Sequence, residues 1–120
     1  MSVTDYREVA IMATLTTHVL DQHGGLPAAG LHIDLFAHEA TTPCAHAVTD
    51  TSGGLAAPLL EAGEGGHYTL RFHVRDYFLA RGVDSPFLDR VPVTITLTHG
   101  QCAHVGLLIT PWAYSVYRGS

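Results

Sequence analysis

The chain of 120 residues contains no lysine: its six cationic side chains are all arginines, set against eleven carboxylates, and the formal net charge is −5 with histidine neutral. Without a basic patch nothing is available to neutralise a phosphate backbone or an anionic bilayer, so neither a nucleic acid nor a membrane is an expected partner. Cysteine is almost as scarce. Cys44 and Cys102 are the whole supply, too few for a disulfide-stapled secreted module and in keeping with free thiols in the cytoplasm, the expected compartment. No apolar run approaches the roughly 20 residues of a membrane span, and the N-terminus has no basic segment leading into a hydrophobic one. Charged residues make up only 14% of the chain and hydrophobic ones 47%, so part of the surface is expected to be covered by further copies of the same chain.

Helical periodicity is nearly missing, and alternation takes its place. From about residue 14 onward, short segments with period two are separated by Gly, Pro, Asp and Ser clusters, the pattern of an all-β antiparallel sandwich. Expected strands cover 15–20, 31–36, 45–49, 68–74, 91–97, 102–110 and 112–118, seven or eight in all. In the fourth of these, Tyr68, Leu70, Phe72 and Val74 form an apolar face and Thr69, Arg71 and His73 a polar one. A single short helix is expected near 76–81, with Asp76 at its N-terminal end and Gly82 just past its C-terminal end. Met12-Ala13-Thr14-Leu15 also reads as an alternative start, so residues 1–13 are expected to be a loose extension and 14–120 the domain. Gly63-Glu64-Gly65-Gly66 is a connecting loop, since no helix follows it to make a phosphate cradle.

Nine histidines are present. His23, His38, His46, His67 and His99 fall in or beside expected turns, where a solvated imidazole needs no special reason. His18 and His104 differ. Each interrupts a strand on the face opposite its regular apolar set, Leu15, Thr17 and Val19 in one case and Val105, Leu107 and Ile109 in the other. Two such imidazoles brought together are suited to taking a proton from water and orienting it. The chain's end, Tyr117-Arg118-Gly119-Ser120, adds a phenol, a fixed positive charge and a hydroxyl. Cys102-Ala103-His104 has no second pair of ligands, so no metal and no cofactor are expected. No G-x-S-x-G elbow is present, and water is a better nucleophile here than serine.

These segments resemble the transthyretin-like family, in particular its 5-hydroxyisourate hydrolase branch, over about residues 14–120. The resemblance rests on Leu15-Thr16-Thr17-His18-Val19-Leu20-Asp21, on Gly24 to Gly30 with Leu26-Pro27-Ala28, and on His73-Val74-Arg75-Asp76-Tyr77-Phe78. Ser85-Pro86-Phe87-Leu88, Val91-Pro92 and the stretch from His104 through Pro111-Trp112 to the terminal Y-R-G-S complete it. It implies a sandwich of two four-stranded sheets with one short helix, and a homotetramer whose central channel holds the active sites. It also implies hydrolysis of a small ring substrate, 5-hydroxyisourate or a related cyclic amide, by water. His18, His104 and Ser120 carry over as catalytic residues, Arg118 and Tyr117 as substrate-binding ones. One family residue does not carry over: where the family has D-G-R, this chain has Ser52-Gly53-Gly54, with Gly54 in the arginine's place. The family's H-Y-H-V-P-L-L has likewise become Cys102-Ala103-His104-Val105-Gly106-Leu107-Leu108. Arg71 and Arg75 are the nearest candidates to replace the lost charge. An enzyme of the same fold retuned to another ring substrate, and a non-catalytic carrier of a small ligand, are the alternatives.

Overall fold

Alternating burial closes the chain into two packed sheets in the computed structural model, which describes residues 13–119. The strands are β1 (Ala13–Asp21), β2 (Leu26–Pro27), β3 (His32–Ala37), β4 (Ala45–Val48), β5 (Leu60–Gly63), β6 (Gly66–His73), β7 (Arg90–Leu97), β8 (Cys102–Ile109) and β9 (Tyr114–Gly119), and the helix α1 is Val74–Leu79. The first sheet runs β2-β1-β8-β9, with β5 also on β1, and the second runs β4-β3-β6-β7. The all-β sandwich follows the sequence expectation, but the first sheet has five strands rather than four. The additional pieces are short: β2 pairs with Leu20 and Asp21 at one end of β1, and β5 with Ala13 and Leu15 at the other. Part of the glycine-rich stretch expected to be a loop is thus paired, since Gly63 ends β5 and Gly66 begins β6.

The core lies between the sheets. Leu15 and Val19 of β1, Leu107 and Ile109 of β8, Ile33 and Leu35 of β3, and Leu70 and Phe72 of β6 are all fully buried. Each such side chain contributes about 1.5–3 kcal/mol relative to an exposed one. Polar residues on these inward faces have partners: Thr17 Oγ1 donates to the Val105 carbonyl at 2.7 Å, and Asp21 accepts from Tyr77 Oη at 2.9 Å and from the Gly24 amide at 2.8 Å.

Helix α1 begins at Val74, two residues before the expected start, because β6 runs directly into it. His73 occupies the N-cap without a side-chain capping bond, and Asp76 lies in the first turn instead. At the other end Gly82 has the expected left-handed conformation (φ +72°), and the amides of Gly82 and Val83 bond back to the carbonyls of Leu79 and Phe78.

The outer face of the second sheet is organised around Asp34. Its Oδ1 accepts from His46 Nδ1 at 2.8 Å, and its Oδ2 from His73 Nε2 at 2.8 Å and Arg71 Nη2 at 3.0 Å. Burial pushes the Asp34 carboxyl up, but these three hydrogen bonds outweigh it and hold the group well below the usual carboxylate range. His46 is therefore not the solvated turn histidine expected from sequence: it sits in β4, directly across from Asp34. Arg71 is committed to the same carboxylate and to the face of Phe36, 4.6 Å from the ring centroid. Held on the outside of the second sheet, it does not replace a charge lost from the first, and Arg75 lies in the exposed first turn of α1.

Candidate active site

The outward face of the first sheet carries three of the sequence-predicted residues, His18, His104 and Tyr117. Strand β1 buries every second residue, leaving Thr14, Thr16, His18 and Leu20 on the outer side. Strand β8 runs parallel to it, and the register places Thr16 beside His104 and His18 beside Gly106. Strand β9 continues both rows antiparallel to β8, pairing His104 with Gly119 and Gly106 with Tyr117. Two rows thus cross three strands: Thr16, His104, Gly119, and then His18, Gly106, Tyr117. Strand spacing and rise put the two histidine Cα atoms about 8 Å apart, room for a water and a small planar ring.

Each imidazole is fixed by a partner. His104 Nδ1 lies 2.8 Å from Thr16 Oγ1 in the same row. His18 Nε2 lies 2.6 Å from the Ser52 carbonyl, and because a carbonyl only accepts, this nitrogen carries the proton. Both histidines are half-buried. The loop that meets His18 is itself pinned: Val19 donates to the Gly53 carbonyl at 2.8 Å and Asp50 to that of Gly54 at 2.8 Å. Gly53 sits at φ +82°, and a Cβ there would strike the Val19 carbonyl, so only glycine fits this turn. Asp50 accepts from the Ser52 hydroxyl at 2.6 Å and the Ser52 amide at 2.9 Å, and these bonds hold its carboxyl below the ordinary range. The negative charge thereby stands near His18.

Gly54 emerges from this loop beside the histidine. A Cβ built on it would lie 3.7 Å from His18 Cδ2 and 3.3 Å from Ser52 Oγ, so the position at which the sequence departs from its family borders the imidazole. The other departure, Gly106, is occupied in a different way. Tyr117 lays its ring directly over Gly106, so that a Cβ there would collide with the ring carbons, and the His104 ring leans over Gly119 in the same manner. Rings and glycines therefore alternate across the face. A proline or any larger residue at position 106 excludes this placement of Tyr117.

Of the remaining expected site residues, Ser120 lies outside the described residues. Arg118 pairs with Val105, whose side chain is in the core, so by alternation it is on the opposite side of β9 from Tyr117. At this edge it lines a cleft of about 170 Å³ whose walls include Ile95 and Thr96 of β7 and also His104 and Tyr117. Thr16 and Ser52 are the partners that sequence reasoning missed. The first was signalled by its place two residues before His18, the second only by the fold. Both cysteines are exposed and free. Among the described residues, no helix is long and apolar enough to cross a membrane.

Comparison with known proteins agrees with this fold. The chain is 47% identical over 114 residues to a 5-hydroxyisourate hydrolase of Deinococcus radiodurans, covering 88% of this chain and 95% of that one. It is 44% identical over 117 residues to one from Ralstonia nicotianae, covering 91% and 100%. Among solved structures it superposes on Klebsiella pneumoniae 5-hydroxyisourate hydrolase with a TM-score of 0.80 at 32% identity, covering 91% of this chain and all of that one. It also superposes on an (S)-allantoin synthase with a TM-score of 0.84 at 33% identity, covering 93% of this chain but only 45% of that longer one. The model of the HIUase/Transthyretin family matches residues 15–119, and with two sheets, nine strands and both histidines on one outer face among those residues, this chain belongs to that family.

Proposed function

We propose that this protein is a hydrolase that opens the ring of 5-hydroxyisourate, a step of urate breakdown in the cytoplasm, and that it works as a homotetramer. The observation that carries the reading is that His18 and His104 stand on neighbouring strands of the parallel β1–β8 ladder, in adjacent rows of one face turned away from the core. His104 is assigned as general base. With Nδ1–H donating to Thr16 Oγ1, its Nε2 lone pair is free to take a proton from water, and the Thr16 bond is retained once the ring is charged. Water adds to a ring carbonyl carbon, forming the C–O bond. The ring C–N bond then breaks, and the nitrogen takes the proton that His104 removed. His18, whose Nε2–H is held by the Ser52 carbonyl, orients the water or substrate through its other nitrogen. Tyr117 closes the adjoining wall. Ser120 follows Gly119, the cross-strand partner of His104, and is assigned to the same site together with Arg118, whose guanidinium would be supplied within the assembly. The tetramer is supported by the edge strand β9, where Tyr114, Val116 and Tyr117 are each 44% exposed along an unpaired border.

Incubation with freshly generated 5-hydroxyisourate tests the reading: decay well above the spontaneous rate, reduced at least 100-fold in kcat by His104→Asn, is the expected result. Decay no faster than in buffer overturns it. Gly54 and the Tyr117 ring over Gly106 favour a second reading, the same chemistry on a different ring substrate. Under that reading 5-hydroxyisourate is untouched while a related cyclic amide is opened with the same dependence on His104. A small-ligand carrier is the third, recognised by binding that survives His104→Asn with no turnover.

A further inference from the structure

The second sheet carries an imidazole cluster that the hydrolase face does not use. His32 on β3 and His46 on β4 occupy adjacent positions of the outer face, in the register that pairs His32 with Val48 and Asp34 with His46. Their nitrogens, His32 Nδ1 and His46 Nε2, are 3.2 Å apart. Two nitrogens bound to one metal ion at about 2.0–2.1 Å are separated by about 2.9 Å at a right angle and about 3.4 Å at a tetrahedral angle. The observed separation falls between these.

Asp34 decides which nitrogens are available. The carboxylate only accepts, so His46 Nδ1 carries the proton it donates at 2.8 Å, and in the neutral ring the Nε2 lone pair faces His32. His32 Nδ1–H then fills the place of a cation. A carboxylate behind a histidine, fixing its tautomer and raising its basicity, is the usual support of a metal ligand. The opening above is a pocket of about 330 Å³ that also includes His73 and Asp76, ample for an ion and its waters. His73 Nδ1 lies 3.7 Å from Asp76 Oδ2, and the Asp76 side chain is 69% exposed and free to rotate. The Arg71 guanidinium is bound to Asp34 Oδ2, not to the oxygen that holds His46, and the Arg81 guanidinium beside the pocket is held over the Tyr77 ring, 4.1 Å from its centroid.

We propose that His32 Nδ1 and His46 Nε2 chelate a divalent transition-metal ion of the zinc, nickel and copper group, with Asp34 as the positioning carboxylate. Among the described residues no three His, Cys, Asp or Glu side chains converge tightly enough to hold a metal ion by themselves. The site is accordingly a two-nitrogen pincer whose other positions are filled by water or by rotation of Asp76. On binding, the metal takes the place of the His32 Nδ1 proton, and the ring stays neutral because a proton is taken up from solvent at Nε2 as the Nδ1 proton is released.

The test is titration of the full chain with Zn²⁺ alone, followed by calorimetry and by ¹⁵N spectra of the histidine side chains, in a His104→Asn background that removes an imidazole of the other sheet. Expected are one ion per chain, a change of the His32 tautomer from Nδ1–H to Nε2–H, and at least tenfold weaker binding in both His32→Gln and His46→Gln. Asp34→Asn should weaken binding about 10–100-fold. His32 and His46 are exposed, so the glutamine variants keep the parent circular dichroism. Absence of binding overturns the proposal, as does binding that ignores both glutamine variants. So does a loss confined to His38→Gln, whose ring lies 5.4 Å from that of His67 at the far end of the sheet.

Discussion

Replacing Gly54 by arginine is expected to raise turnover of 5-hydroxyisourate. The loop accepts the side chain: Gly54 is outside the left-handed region, and a Cβ there meets Ser52 Oγ at 3.3 Å, His18 Cδ2 at 3.7 Å and the Thr17 carbonyl at 4.0 Å. Only the 3.3 Å contact is tight, and the exposed Ser52 hydroxyl can give way, so stability should change by no more than about 0.5 kcal/mol. The guanidinium would then project from the edge of His18, where charge develops as water adds to the substrate carbonyl. One preorganised donor at such a position is worth about 2.7–4 kcal/mol. Gly54 is half-buried, and fixing an arginine costs about 2 kcal/mol of rotamer freedom, so about 1–2 kcal/mol should remain. That corresponds to a gain of about 5–30-fold in kcat/KM. The assay is the loss of ultraviolet absorbance of freshly generated 5-hydroxyisourate, with Gly54→Ala as the control for the Cβ alone. Gly54→Lys, a point charge without the planar fork, should give a smaller gain. No gain from Gly54→Arg, in a protein whose Tm stays within about 2 °C of the parent, would refute the assignment of this position to the reacting carbonyl.

Gly106→Ala drives a methyl group into the Tyr117 ring and should cost about 1–3 kcal/mol in denaturant unfolding. Most of that cost should vanish when Tyr117→Ala is added, and simple additivity would count against the contact. Asp34→Asn leaves His46, His73 and Arg71 without their shared carboxylate and should cost about 3 kcal/mol near neutral pH. The folded-state pKa of Asp34 lies below its unfolded value of about 3.9, so its contribution is complete above that value and is lost as pH falls through and below it. The stability gap between parent and variant should therefore close on acidification, and a constant gap would refute the mechanism. Tyr77→Phe removes one of the two donors to buried Asp21 and should cost about 1–3 kcal/mol. Burial first, then the Asp21 hydrogen bond and charge, push the Tyr77 phenol up to about 12. The contribution of this group is thus present below pH 10 or so and lost as pH rises through 12, and spectrophotometric titration should lose its latest phase in the variant.

The long strands were legible because each buries one face: Tyr68, Leu70 and Phe72 alternate with Thr69, Arg71 and His73 in the sequence and do the same in β6. The orientation of His18 and His104 followed from the same periodicity. Strands β2 and β5, of two and four residues, are too short to display a period and exist only because β1 has an edge to pair with. The start of α1 was misplaced because propensity favours Asp76 as a cap, whereas the packing of Val74, Tyr77 and Phe78 sets the first turn. The partners of the histidines were hidden for a different reason. Thr16 with His104, Ser52 with His18, and Asp34 with His46 and His73 depend on strand register and loop placement, which residue type does not encode. Likewise Gly106 read as a lost proline, while its place beneath Tyr117 required the β8–β9 ladder.

Among the described strands, β1 and β8 form the one parallel pair, and the Thr16–His104 bond across it spans 88 residues. Closing so long a loop costs about 4 kcal/mol of chain entropy, whereas the antiparallel neighbours β3–β4, β6–β7 and β8–β9 are joined over much shorter spans. Local hairpins are therefore favoured early in folding, and the ladder that brings the two histidines together belongs to its slow, late stage. Catalytic competence should lag behind the recovery of sheet structure on refolding, because the site comes into being only when the two ends of the domain meet.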